Sequence, residues 1–166
     1  MKLLLEQYPE AASATDDVGM TPLHKACLNK KVFIRLLVEA APDTVRSESN
    51  NGNMPLHSLC CNKKVEDAAA LKILKLLMEK YPEAVRHANN RDSLPIHFAA
   101  GTKSPEFCRE LIDAYPGSER ITVAGGKLPF HRSCLQNTLQ TVEYLYSLDP
   151  NPEAIFGTNN TEGYPV

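Results

Sequence analysis

Thr21-Pro22-Leu23-His24 comes back down the chain as Met54-Pro55-Leu56-His57, Leu94-Pro95-Ile96-His97 and Leu128-Pro129-Phe130-His131, and begins again at Tyr164-Pro165-Val166. The prolines of these copies lie 33, 40, 34 and 36 residues apart. A period in that range marks a solenoid, in which one small unit is stacked again and again. A second phrase falls between the copies: Tyr8-Pro9-Glu10-Ala11, Ala41-Pro42-Asp43-Thr44, Tyr81-Pro82-Glu83-Ala84, Tyr115-Pro116-Gly117-Ser118 and Asn151-Pro152-Glu153-Ala154. Its proline precedes the next Pro-apolar-His proline by 13 residues in all five cases. The variation in length therefore falls in the helical part of each unit.

Each unit reads the same way. A polar turn comes first, with Gly19 in the first copy, Gly52 in the second, Asp92 in the third and Gly125-Gly126 in the fourth; such a position calls for positive φ. Pro22, Pro55, Pro95 and Pro129 then stand at N1 of a short helix, where a missing N–H costs nothing. A second helix follows. In the first unit Val32, Leu36 and Leu37 point inward and Arg35 and Glu39 outward. The next proline closes that helix. In the second unit seven extra residues enter around positions 62–69, and Ala68-Ala69-Ala70-Leu71 favours helix, so an N-terminal extension of that helix is expected. In the third unit the helices start near Pro95 and Pro105. In the fourth they run from Pro129 to Gln136 and from about Thr138 to Leu148.

The phrase Asp16-Asp17-Val18-Gly19-Met20-Thr21-Pro22-Leu23-His24-Lys25-Ala26-Cys27 resembles the ankyrin repeat, whose pattern is Asp-x-x-Gly-x-Thr-Pro-Leu-His-x-Ala-Ala. The resemblance implies an all-α solenoid of helix-turn-helix units joined by short hairpin fingers. It divides the chain into a partial unit at 1–14, repeats at 15–47, 48–87, 88–121 and 122–157, and a partial unit at 158–166, in an array expected to run on past both ends. The chain departs from the pattern where Met54, Leu94, Leu128 and Tyr164 replace the capping Thr, each losing a side-chain cap that typically contributes about 1 kcal/mol. In the last copy Glu162 takes the glycine place.

Composition fits a folded chain, with 43% apolar and 23% charged residues. A net charge of −2 and a pI near 6.2 lack the basic stripe that phosphate neutralisation needs, so nucleic acid is not an expected partner. No apolar run approaches the roughly 20 residues that span a bilayer, and Glu6 interrupts Leu3-Leu4-Leu5 too early for a signal peptide. Five cysteines, an odd number, speak against a disulfide framework and for a reducing compartment, cytoplasmic or nuclear.

His24/Cys27, His57/Cys60 and His131/Cys134 share a His-x-x-Cys spacing drawn from the vocabulary of zinc sites. Each pair belongs to a different repeat. Stacked helices lie roughly 8–10 Å apart, whereas zinc needs every donor within about 2.0–2.3 Å. Ala100 takes the cysteine place in the third unit, which makes the position a packing slot for a small residue. The resemblance implies that the histidines tie the turn of their own repeat to the next. No catalytic residue, metal or cofactor is expected: a Cys–His dyad lacks an orienting third group. His87 reads as a solvated turn residue. Cys60-Cys61 is not a Cys-x-x-Cys redox motif. Lys30-Lys31 with Lys63-Lys64 reads as solvated loops, and Gly125-Gly126-Lys127 as a tight turn without the spacing of a phosphate loop.

What is left is surface. The family's usual contact places fall at the fingertips on Asp17, Val18 and Met20, on Asn50, Asn51 and Asn53, on Asn90, Arg91 and Ser93, and on Ala124, Gly125 and Lys127. On the first helices they fall on Leu28 and Asn29, Cys61 and Asn62, Gly101 and Thr102, and Leu135 and Gln136. Asn, Ser and Gly are as expected of turns as of a binding surface. The function implied is non-catalytic protein binding on the concave side. Three alternatives stay open: a recruiting arm of a larger enzyme or regulator; a structural spacer whose apolar ends (Leu3, Leu4, Leu5) stack a mostly monomeric chain end to end; and metal or redox chemistry through the His/Cys pairs, which would require stoichiometric zinc where none is expected.

Overall fold

The computed structural model describes residues 7–29 and 33–148. Expectations for the apolar end at Leu3-Leu4-Leu5, Lys30-Lys31, Val32, the Asn151-Pro152-Glu153-Ala154 phrase and the last partial repeat lie outside the described residues.

Among the described residues eight α-helices form four antiparallel pairs: α1 (Pro22–Leu28) with α2 (Ile34–Ala40), α3 (Pro55–Cys61) with α4 (Asp67–Lys80), α5 (Pro95–Ala99) with α6 (Pro105–Ala114), and α7 (Pro129–Gln136) with α8 (Leu139–Leu148). First helices stack on first helices, α1 on α3, α3 on α5 and α5 on α7. The seam is filled by the motif's apolar residue and the small residues that follow. Leu23, Leu56 and Ile96 are buried, as are Cys27, Cys60 and Ala100. Burying a residue of the first kind contributes about 1.5–3 kcal/mol. Cys134 departs from the slot its spacing predicts and is exposed.

The second helices absorb the length variation. α4 has 14 residues against seven in α2 and 10 in α6. Its extension begins at Asp67, with Ala70, Leu74 and Leu77 turned to the core. Ile34, Leu37 and Val38 are the buried residues of α2, and Arg35 and Glu39 pair outside at 3.1 Å. Where the short α2 faces the long α4, Ile34, Ile73 and Leu76 line a groove of about 450 Å³.

The Tyr-Pro-Glu-Ala phrase does more than stop a helix. Its proline opens a 3-10 turn at Pro9–Ala12, Pro42–Arg46 and Pro82–Arg86, the place where its fixed φ and missing N–H cost least. In the fourth copy Gly117 adopts φ +88° and the turn shifts to Ser118–Arg120. Thr44, Val45, Ala84, Val85 and Ser118 are buried there, so the phrase roofs the core between its own second helix and the next finger.

Candidate functional site

Four fingers project between the helix pairs, all closed by the same two backbone bonds. Gly19 N–H donates to Asp16 C=O at 2.9 Å and Asp16 N–H to Met20 C=O at 3.1 Å. The corresponding bonds join Gly52 to Ser49 and Ser49 to Asn53, Asp92 to Asn89 and Asn89 to Ser93, and Gly126 to Val123 and Val123 to Lys127. The turn needs a left-handed residue at its end. Gly19 and Gly52 supply it at φ +73° and +71°, and Asp92 does so at φ +56° as the one non-glycine with positive φ among the described residues.

The fingers are stitched to one another. Asn50 donates its backbone N–H to Val18 C=O at 3.0 Å and its side-chain Nδ2 to Asp17 C=O at 3.1 Å. Asn90 repeats this on Asn51 and Asn50, both at 3.1 Å. Asn89 Nδ2 reaches Asn53 Oδ1 at 2.8 Å. Ala124 stands in the same register in the fourth finger and has no amide to offer.

The motif histidines join finger to helix. Each Nδ1 accepts the backbone N–H of the residue before the motif proline: Thr21, Met54, Leu94 and Leu128, at 3.2, 3.1, 3.1 and 3.0 Å. This bond fixes the tautomer, because a ring nitrogen that accepts leaves the proton on the other one. His24 Nε2 then donates to Asn53 C=O at 2.8 Å, His57 to Ser93 C=O at 3.1 Å and His97 to Ile121 C=O at 2.9 Å. The Thr21 hydroxyl, expected as a cap, instead lies 2.9 Å from His24 Nδ1. The imidazole therefore organises these helix starts with or without Thr, and that is how Met54, Leu94 and Leu128 are accommodated. Burial holds the His24 and His97 rings below their usual pKa and pulls His57 down to about 4. His87 is a correction to the sequence reading: its Nε2 meets Gly52 C=O at 3.0 Å, its ring lies edge-on to His57 at 5.8 Å, and Glu48 is 3.7 Å away. It occupies the inner leg of a finger, which one sequence period could not reveal.

The expected contact residues fall into two groups. Asp17, Val18, Asn50, Asn51, Asn90, Arg91, Ala124, Gly125 and Lys127 are exposed along the finger ridge, and Asn29, Cys61, Leu135 and Gln136 on the first helices. Met20 and Asn53 are half-buried, as are Leu28 and Thr102. Ser93 and Asn62 are buried at 6% and 4% exposure, and Gly101 is buried too. Their polar groups are used internally. Asn62 Nδ2 donates to Cys27 C=O at 2.8 Å, and the Thr102 hydroxyl donates to Cys60 C=O. Asn137 Nδ2 donates to the Ala100 and Lys103 carbonyls at 2.6 and 2.9 Å. The ends of α1, α3 and α5 leave carbonyls without helical partners, and the following repeat supplies the donors. Asn62 and Ser93 therefore serve the stack, not the free surface.

Three residues escaped the sequence reading. Lys103 is 2% exposed; its ammonium donates to Asn62 C=O and stands 5.5 Å from the Phe107 ring centre. Burial lowers its pKa. Phe98 and Arg132 lie on the first-helix face, with the guanidinium over the ring at 5.3 Å. Their register, three residues after the motif proline, holds Lys25 and Ser58 in the first two units. That variability within one position was the signal available.

Among the described residues no three His, Cys, Asp or Glu side chains gather closely enough to hold a metal ion, and no helix is long and apolar enough to cross a membrane. A search of curated proteins finds no match to the chain. A family model, ankyrin repeats in three copies, matches residues 1–83. The helix pairs, fingers and histidine ties continue in the same register through the third and fourth units, and the chain belongs to the ankyrin-repeat family.

Proposed function

We propose that this chain is a non-catalytic binding array that holds a protein partner against its finger ridge and first-helix face. Ankyrin repeats are in general protein–protein interaction modules. The observation that carries the reading is the stitched ridge. Fingers bonded through Asn50 and Asn90 present Asp17, Val18, Asn51 and Arg91 at fixed spacing, and Lys127 stands exposed on the next finger. A surface ordered before binding loses little conformational entropy when a partner arrives. The finger-closing and finger-stitching backbone groups are already paired, which leaves side chains prominent in recognition. The thiols fit a reducing compartment, since all five cysteines are free. The repeats at 15–47, 48–87, 88–121 and 122–157 act as one array in this reading.

The test replaces Asn51, Arg91 and Lys127 together by Ala and compares the proteins that copurify with each form by quantitative mass spectrometry. Partners of the unchanged chain should be lost from the variant. Full recovery of every partner by a folded variant removes the ridge as the binding surface.

A further inference from the structure

We propose that Arg132, laid over Phe98, is the receptor for a carboxylate on an acidic segment of the partner protein. The inference rests on the binding role proposed above and names the chemistry at its centre.

Three residues after the motif proline stand Lys25, Ser58, Phe98 and Arg132; six residues before it stand Asp16, Ser49, Asn89 and Val123. In the first unit the two positions meet, because Lys25 Nζ lies 2.6 Å from Asp16 Oδ2. There the chain supplies both cation and carboxylate. In the fourth unit the carboxylate position is Val123, and no Asp or Glu occurs from Ile121 to Val142. Arg132 turns to the ring of Phe98 in the preceding repeat, 5.3 Å from its centre. Among the described residues its guanidinium makes no hydrogen bond and no ion pair. The titratable side chains of His97 and Cys61 lie within reach of its charge, and both are neutral at neutral pH: burial holds the His97 pKa down and pushes the Cys61 thiol up to about 11.

A guanidinium on an aromatic face keeps its N–H edge free while its plane is fixed. That edge matches a carboxylate with two parallel bonds. Exposed Lys127 on the finger of the same unit carries the same sign of charge, and Leu135, 74% exposed on the same helix as Arg132, offers an apolar contact one turn away. The partner segment this fits is acidic with an apolar neighbour. Arg and aromatic residues also dominate binding energetics at interfaces.

The test pans a phage-displayed library of random 12-residue peptides on the whole chain, then measures fluorescein-labelled winners by anisotropy. The proposal expects winners rich in Asp or Glu, weakened about tenfold or more by Glu→Gln in the peptide. They should weaken equally on Arg132→Gln, without further loss when both changes are combined, and to an intermediate degree on Arg132→Lys. Should Arg132→Gln fail to fold by circular dichroism, the Arg132→Lys variant and the peptide substitution carry the test. Winners that bind Arg132→Gln as tightly as the native chain overturn the proposal. If those winners are still lost on the Asn51/Arg91/Lys127 triple variant, the binding surface stands and only the arginine role falls. Winners indifferent to both variants, or no winners at all, remove both readings. Displacement of the peptides by dT12 at equal concentration assigns the site to nucleic acid and overturns the proposal.

Discussion

Acidification is the sharpest probe of the histidine ties. His57 Nδ1 accepts the Met54 N–H and its Nε2 donates to Ser93 C=O, so the ring works only when neutral. Its ordinary pKa of 6.5 falls to about 4 in the fold, chiefly through burial. The groups facing it are His87, edge-on at 5.8 Å with Glu48 beyond it, and the Phe98 ring. A base with a depressed folded pKa binds its proton more readily in the unfolded chain. Its contribution is therefore intact above pH 6.5 and lost as pH falls from there towards 4. At pH 5 the unfolded ring is mostly charged and the folded ring is not. The linkage for that one site then amounts to about 2 kcal/mol relative to pH 7. His24 and His97 are shifted in the same direction and add to it. With a urea slope of about 2 kcal/mol per molar, the unfolding midpoint should drop by at least roughly 1 M between pH 7 and pH 5, followed by far-UV circular dichroism. His57→Gln, though less stable at pH 7, should lose about 2 kcal/mol less over the same interval. A midpoint that stays level from pH 7 to pH 5, or an equal fall in the variant, refutes the neutral-ring account.

Further outcomes follow from other contacts. A Cβ on Gly52 would sit 2.9 Å from the Asn90 backbone N at φ +71°, whereas one on Gly125 at φ +84° meets nothing within 4 Å. Gly52→Ala should cost about 2–3 kcal/mol and Gly125→Ala about 1, read from urea midpoints. Iodoacetamide on the native chain should label exposed Cys134 first and Cys61, with its thiol pushed up to about 11, more slowly; Cys27, Cys60 and Cys108 should react only on unfolding, as peptide mass mapping can check. Lys103→Ala should destabilise by about 3 kcal/mol by opening a cavity and orphaning Asn62 C=O. Lys103→Met should cost less, since it keeps the packing and removes the buried charge.

The fold was legible because the pattern needed only two kinds of residue in phase: prolines that start elements and small or apolar residues that fill the seam. Turn positions 19, 52 and 92 could be assigned for the same reason, since local backbone geometry dictates them. The ties between units were harder to read. Asn62 and Thr102 look like solvent-facing polar residues in the sequence, yet their donors satisfy carbonyls about 35 and 42 residues away. His87 and Lys103 pair with groups 35 and 41 residues distant, where side-chain chemistry alone names no partner. Phe98 and Arg132 belong to the same difficulty: each is an ordinary surface residue until the stack places one over the other.

Ala124 breaks a pattern that Asn50 and Asn90 establish, and at the same junction His97 abandons the position used by His24 and His57 for a carbonyl on the finger's other leg. The first three fingertips are thus welded edge to edge, while the fourth hangs on its helices through Asn137 and Thr141. The palisade thus has one seam without lateral bonds between its tips: the spacing of Arg91 and Lys127 rests on helix contacts, whereas Asp17 and Asn51 sit on fingers joined edge to edge.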